Sequence, residues 1–262
     1  MGFMRSVRIA FPQIMSRFWS FFALLCSKRA RLPSQSPDGR EAVLLNYVLK
    51  NSEKGNAESV LSAIESHAQQ TWLMNLGKEK SSVLDGAVQK FDPKVVLELG
   101  TYCGYSAIRI ASKMKKPDSK LVSIEKNPQN CSVARAIIEH AGLSSKVKVM
   151  EGTLGSNLEE LDEILEEERV PYFEFIFMDN SNQCYLSDFL LLKDRGMLGK
   201  GTGIVANSST EEFTGASDFF TYLRSHPEEL ETEEHKCSVD PLSLPSTVTV
   251  SIYKADLPIF IH

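Results

Sequence analysis

Residues 95–106 read Val95-Val96-Leu97-Glu98-Leu99-Gly100-Thr101-Tyr102-Cys103-Gly104-Tyr105-Ser106. The short apolar run after Pro93 predicts a buried strand, and the pattern from Gly104 to Met114 predicts a helix. Between them, glycines at 100 and 104 flank a turn where the backbone can take a positive φ and a ligand can approach closely. A strand, a glycine turn and a helix in that order suit a nucleotide-like ligand. The dinucleotide fingerprint GxGxxG is nevertheless absent, because positions 100, 102 and 105 hold Gly, Tyr and Tyr. A pyrophosphate would lack its glycine loop, which disfavours a nicotinamide dehydrogenase. The next strand ends in Glu125, where a carboxylate suits ribose hydroxyls. Alone, Glu125 reads more readily as a surface acid than as a ligand. Together with the turn it points to an adenosyl ligand without phosphates.

Working outward, the alternation continues. Strands are predicted at 121–124, 147–150, 175–178, 203–206 and 248–253. Helices are predicted at 128–140 (ending at Gly142), 156–168, 186–193 and 216–224. Five βα repeats predict an α/β fold, a doubly wound Rossmann-like sheet with its ligand crevice at the carboxyl ends of the strands. Before residue 93 only helices are predicted: 38–50 with Asp38 as cap, a second from Asn56 through Ile64, and 79–90. They form an N-terminal helical layer. The acidic run Glu159–Glu168 reads as a solvated helix face.

With 42% hydrophobic and 24% charged residues, composition excludes wholesale disorder, collagen and multi-pass membrane folds. A net charge of −5 gives no basis for nucleic-acid binding. Cys26, Cys103, Cys131, Cys184 and Cys237 are odd in number and form no CxxC, so they read as reduced thiols.

The charge is uneven. Residues 1–37 hold Arg5, Arg8, Arg17, Lys28, Arg29 and Arg31 and no acid. On a helical wheel Arg5, Ser6, Gln13, Ser16, Arg17 and Ser20 share one half, and Phe3, Val7, Phe11, Ile14, Phe18, Phe21 and Leu25 the other. This basic amphipathic pattern suits a helix lying on a membrane surface. An Arg-rich mitochondrial presequence, a short signal anchor built on Phe18–Cys26, and an inert tail are the competing readings. Pro12 interrupts any continuous helix, and 33–37 reads as a linker.

The string Val96–Arg109 closely resembles the catechol O-methyltransferase family, which uses S-adenosylmethionine. So do Gly55–Leu61, Trp72–Gly77 and Tyr185–Leu192. The resemblance runs from about Glu41 to Tyr253 and adds to the membrane reading, because membrane-bound forms of that family carry an N-terminal anchor. It implies four parts: a membrane-facing segment at 1–33, a helical layer and lid at 34–92, the methyltransferase domain at 93–256, and a tail at 257–262. It also implies site residues. Met74 and Leu76 match positions along the methionine part of the cofactor. Glu98, Gly100, Tyr102, Gly104 and Ser106 match positions around its amino and carboxylate groups, and Glu125 matches the ribose ligand. Trp72 matches an aromatic gate over a catechol, and is otherwise a core tryptophan.

The family binds Mg²⁺ through two aspartates and an asparagine. Asp179 matches the first, which also borders the cofactor; the other two positions hold Asn207 and Ser208. The lysine base is Asn182 here, and Asn180 and Ser181 replace a histidine and a tryptophan. Asp240 falls at the glutamate that holds the second catechol hydroxyl, and Thr153, Leu154 and Gly155 replace a more polar adenine loop. Asn182 cannot accept a proton, and one formal charge at the Mg²⁺ site is gone. The expectation is an O-methyltransferase acting on a catechol or related phenol, with a weakened Mg²⁺ site. A catalytically weak cofactor-binding scaffold is the alternative. The placement expected is membrane-associated with the domain in a reducing compartment on the cytoplasmic side, or else mitochondrial.

Overall fold

The computed structural model describes residues 39–71, 73, 75–208, 217–239 and 244–256. Three helices come first: α1 (Arg40–Asn51), α2 (Ala57–Gln70) and α3 (Gly77–Phe91). Then β1 (Val95–Leu99), α4 (Tyr105–Lys113), β2 (Lys120–Glu125), α5 (Pro128–His140), β3 (Val147–Glu151), α6 (Leu158–Glu167) and β4 (Phe175–Met178) alternate. A one-turn 3-10 helix (Asn182–Cys184) leads into α7 (Tyr185–Asp194), followed by β5 (Gly203–Ser208), α8 (Ser217–Ser225), β6 (Leu230–Val239) and β7 (Leu244–Tyr253).

The strands form one sheet in the order β3-β2-β1-β4-β5-β7-β6. The first five are parallel, and β7 runs antiparallel between β5 and β6. The chain winds outward in opposite directions from β1, so the topological switch point lies between β1 and β4. Ligand crevices of open α/β sheets lie at such points, beyond the carboxyl ends of the strands. This is where the glycine turn and Asp179 emerge.

Every residue of β1 is buried. Its period-two alternation sorts Val96 onto the face covered by α1–α5, and Val95, Leu97 and Leu99 onto the face covered by α6–α8. Both faces are therefore dry, which explains why β1 reads as a continuous apolar run with Glu98 as its one polar member. The helical layer expected before residue 93 is present. Within it, α3 packs against β5, β6 and β7.

Strand β6 was not predicted. Its sequence, Leu230-Glu231-Thr232-Glu233-Glu234-His235-Lys236-Cys237-Ser238-Val239, is charged because it is an outer strand paired only with β7. Charged outer strands oppose edge-to-edge association and hide the hydrophobic signal. Strand β7 also begins four residues earlier than predicted. Pro245 sits near the end of the ladder, opposite Ser238, where a missing N–H costs little.

The expected amphipathic segment at 1–33, the linker, the Asp38 cap and the tail at 257–262 lie outside the described residues. Among those described, no helix is long and apolar enough to cross a membrane.

Candidate active site

The turn after β1 is built by backbone geometry. The Gly100 amide donates to Ile124 O (2.9 Å) and the Gly104 amide to Thr101 O (2.8 Å). Gly100 has φ +97°, and a Cβ there would lie 2.5 Å from Asp179 O. Glycine is required because the ends of β1 and β4 touch. Tyr102 takes the left-handed conformation (φ 47°) without being glycine. Its amide donates to Glu125 Oε2 (2.8 Å) and its hydroxyl to Glu41 Oε1 on α1 (2.9 Å), which offsets the strain. The Asn127 amide holds the other oxygen of Glu125 (2.8 Å). The Glu125 carboxylate is thus fixed at the end of β2, beside the turn, with lone pairs left for hydroxyl donors.

Two more carboxyls converge. Glu98 is fully buried; its Oε2 accepts from Ser123, whose hydroxyl also meets Thr101, and its Oε1 has no partner. Burial pushes Glu98 up to about 7 against the pull of Ser106 and Ser123. Ser106, in the first turn of α4, is buried at the same place. Asp179 follows β4 and is half-buried; burial pushes it up to about 6 against the pull of the Asn207 hydrogen bond. Asn207 at the end of β5 donates to Asp179 Oδ1 (2.7 Å), while Asn207 Oδ1 is buried without a partner.

The structure therefore brings together Gly100, Tyr102, Gly104, Ser106, Glu98, Glu125, Asp179 and Asn207. Leu76 is buried at the N-terminus of α3. Asn182 opens the 3-10 turn, where its carbonyl accepts the Tyr185 amide. Ser208 ends β5, opposite Thr247. Trp72, Met74 and Asp240 lie outside the described residues.

The O-methyltransferase family model matches residues 52–205. A probable O-methyltransferase of Mycobacterium tuberculosis is 37% identical over 223 residues, 84% of this chain and 94% of that protein. The chain belongs to the O-methyltransferase family. Catechol O-methyltransferase of Bos taurus is 34% identical over 188 residues, 71% of this chain and 67% of that one. The Bacillus cereus O-methyltransferase solved with S-adenosylhomocysteine superposes with a TM-score of 0.58 at 18% identity, over 92% of this chain and 100% of the other. At that identity the likeness is one of fold.

As an O-methyltransferase, the chain requires S-adenosylmethionine, and its residues fit that donor. An unpartnered, buried Glu98 oxygen and the crowded Asp179 carboxyl await positive charge, and the donor carries an ammonium and a sulfonium. The residues do not fit Mg²⁺ in the same way. Hard divalent cations favour several anionic oxygens. Here one carboxylate stands at the matched positions, and the Asn207 amide already donates to one of its two oxygens. No group of three His, Cys, Asp or Glu suited to a metal occurs among the described residues.

Two residues of this O-methyltransferase site escaped the sequence reading. Glu41 resembled any acid in a first helical turn. Lys80 resembled a surface lysine, yet it is 4% exposed and electrostatically coupled to Asp179. Tyr185 closes the floor, its hydroxyl contacting both Met178 O (3.0 Å) and Asn207 O (2.6 Å).

Proposed function

We propose that the protein transfers methyl from S-adenosylmethionine to a phenolic or catechol oxygen. The observation that carries this reading is the convergence of three carboxyls at the switch point, Glu125 held open by two backbone amides and Glu98 with one bare oxygen. The donor supplies an electrophilic methyl on a positively charged sulfur. Glu125 would hold the ribose hydroxyls, and Glu98 and Asp179 the ammonium. The Tyr102–Glu41 hydrogen bond fixes the turn beneath, so that donor and acceptor meet in one geometry, which supplies much of the rate. The phenolic acceptor draws its support from the named bovine relative.

A methyl-transfer assay against catechols and phenols, with and without Mg²⁺, tests the reading. The expected result is an O-methyl ether with weak stimulation by Mg²⁺. Donor binding without transfer to any member of the panel would favour the scaffold alternative.

The N-terminal segment would place this domain at a membrane surface, through the apolar half that includes Phe3, Phe11, Phe18 and Leu25 and the basic cluster Lys28, Arg29 and Arg31. Deleting residues 1–33 is expected to move the protein from the membrane to the soluble fraction. Equal fractionation of full-length and truncated protein would refute a surface anchor.

A further inference from the structure

Arg109 ties three helices together at one point. It stands one turn after Tyr105 in α4, and its guanidinium grips Asp85 of α3 in a fork, Nε to Oδ1 at 2.8 Å and Nη2 to Oδ2 at 2.9 Å. Nη1 donates to the Tyr105 hydroxyl (3.1 Å) and, over a longer 3.4 Å, to Glu65 Oε1 of α2. The Tyr105 hydroxyl in turn donates to Glu65 Oε1 (2.7 Å) and lies 3.3 Å from Ser81 Oγ of α3. Both α2 and α3 pack against α4. The Arg109 and Asp85 side chains are 19% and 18% exposed, so water screens the fork less than it would an ordinary surface pair. A planar two-pronged pair also fixes angle as well as distance, which a lysine could not do. The cluster matters because of where it holds α4. Tyr105 opens that helix directly after Gly104, and no side chain caps the helix start. A glycine at φ +87° and an uncapped end leave the direction of the first turn to tertiary contacts. From Gly104 a continuous run of contacts leads to the buried carboxyl. Its amide donates to Thr101 O (2.8 Å), the Thr101 hydroxyl meets that of Ser123, and Ser123 donates to Glu98. Burial pushes Tyr105 up to about 12, so its hydroxyl stays protonated and keeps donating to Glu65.

We propose that Arg109 is a positioning residue for the amino-acid end of the methyl donor. It joins α2 and α3 to the residue that opens α4, and so holds the glycine turn against Glu98. This rests on the donor reading of the site and adds to it a residue that touches no ligand. Loss of the guanidinium would leave Glu98 and its hydrogen bond to Ser123 in place but free the first turn of α4. The ribose end is anchored separately. Glu125 is held by the amides of Tyr102 and Asn127, and Tyr102 is tied to Glu41 of α1, outside the Arg109 cluster. The two ends of the donor therefore respond differently when the cluster is broken.

Isothermal titration of the full-length chain with S-adenosylhomocysteine and with methylthioadenosine, which keeps the nucleoside and sulfur but lacks the amino acid, tests this. Arg109→Met is expected to weaken S-adenosylhomocysteine about tenfold and methylthioadenosine by less than about twofold. Tyr105→Phe removes one hydroxyl and no charge, and should give the same pattern at about threefold. The double variant should bind S-adenosylhomocysteine no more weakly than Arg109→Met alone, because the two side chains act as one unit. Thermal unfolding shows that each variant is folded. Should Arg109→Met fail to fold, Tyr105→Phe decides by the same split between the two ligands. Equal weakening of both ligands, or S-adenosylhomocysteine affinity unchanged in the variants, would overturn the inference and leave the donor reading standing. A wild type that binds neither ligand would overturn both.

Discussion

Asn182→Lys combined with Asn207→Asp is expected to raise kcat/KM for catechol about 10²–10⁴-fold in the presence of Mg²⁺, with little change in EDTA. Catechol is mostly un-ionised near neutral pH, since a phenol titrates near 10. It therefore needs both a cation to acidify the hydroxyl and a base to take the proton. In the structure the Asn207 amide donates a hydrogen bond to Asp179 Oδ1. An aspartate there would turn that hydrogen bond into a pair of carboxylates that a divalent cation could bridge. A lysine at 182 would sit on the 3-10 turn that follows Asp179. The two changes should be more than additive, because the base acts on a metal-held substrate. Initial rates of label transfer for the single and double variants, with and without Mg²⁺, measure this. A wild-type rate already high and Mg²⁺-dependent would contradict it.

Donor affinity is expected to rise about 10- to 100-fold between about pH 5.5 and 7.5. Burial lifts Glu98 to about 7 and Asp179 to about 6 in the donor-free protein. A carboxyl raised in this way stabilises the fold below the ordinary carboxylate range, and that contribution is lost as pH climbs through the raised value. From these two groups, the Tm of the donor-free protein falls across the window. The donor's ammonium pairs with ionised carboxylates, so binding expels protons and the donor-bound protein keeps its Tm. Thermal unfolding with and without S-adenosylhomocysteine over this range shows both trends, and Glu98→Gln should flatten the upper half. Affinity that is flat or falls with pH would count against these carboxyls as the ammonium site.

The parallel half of the sheet was legible because its inner strands β1, β2, β4 and β5 are buried on both faces, and sequences such as Phe175-Ile176-Phe177-Met178 leave no other reading. Strand β6 was illegible for the opposite reason, its edge being kept charged. Glu125 could be found from its place at the end of the second strand. Lys80 could not, because a Lys-Glu-Lys start to a helix normally faces water, and only the packing of α3 onto β5–β7 turns one of those lysines inward. The pairing of Asn207 with Asp179 joins residues far apart in the chain, and only the parallel alignment of β4 with β5 brings them together. Sequence also gave no sign that Tyr185, in an apolar stretch, would spend its hydroxyl on the carbonyls of Met178 and Asn207.

The central claim is that the glycine turn after β1 and the carboxylate of Glu125 form the site for the methyl donor. Isothermal titration of the folded full-length chain with S-adenosylhomocysteine tests it most directly. The account predicts a saturable single-site isotherm that Glu125→Ala weakens by at least about tenfold, the loss of roughly one charged hydrogen-bonding partner. Folded protein that yields no binding heat with either S-adenosylhomocysteine or S-adenosylmethionine, or a Glu125→Ala variant that binds as tightly as the wild type, would contradict it.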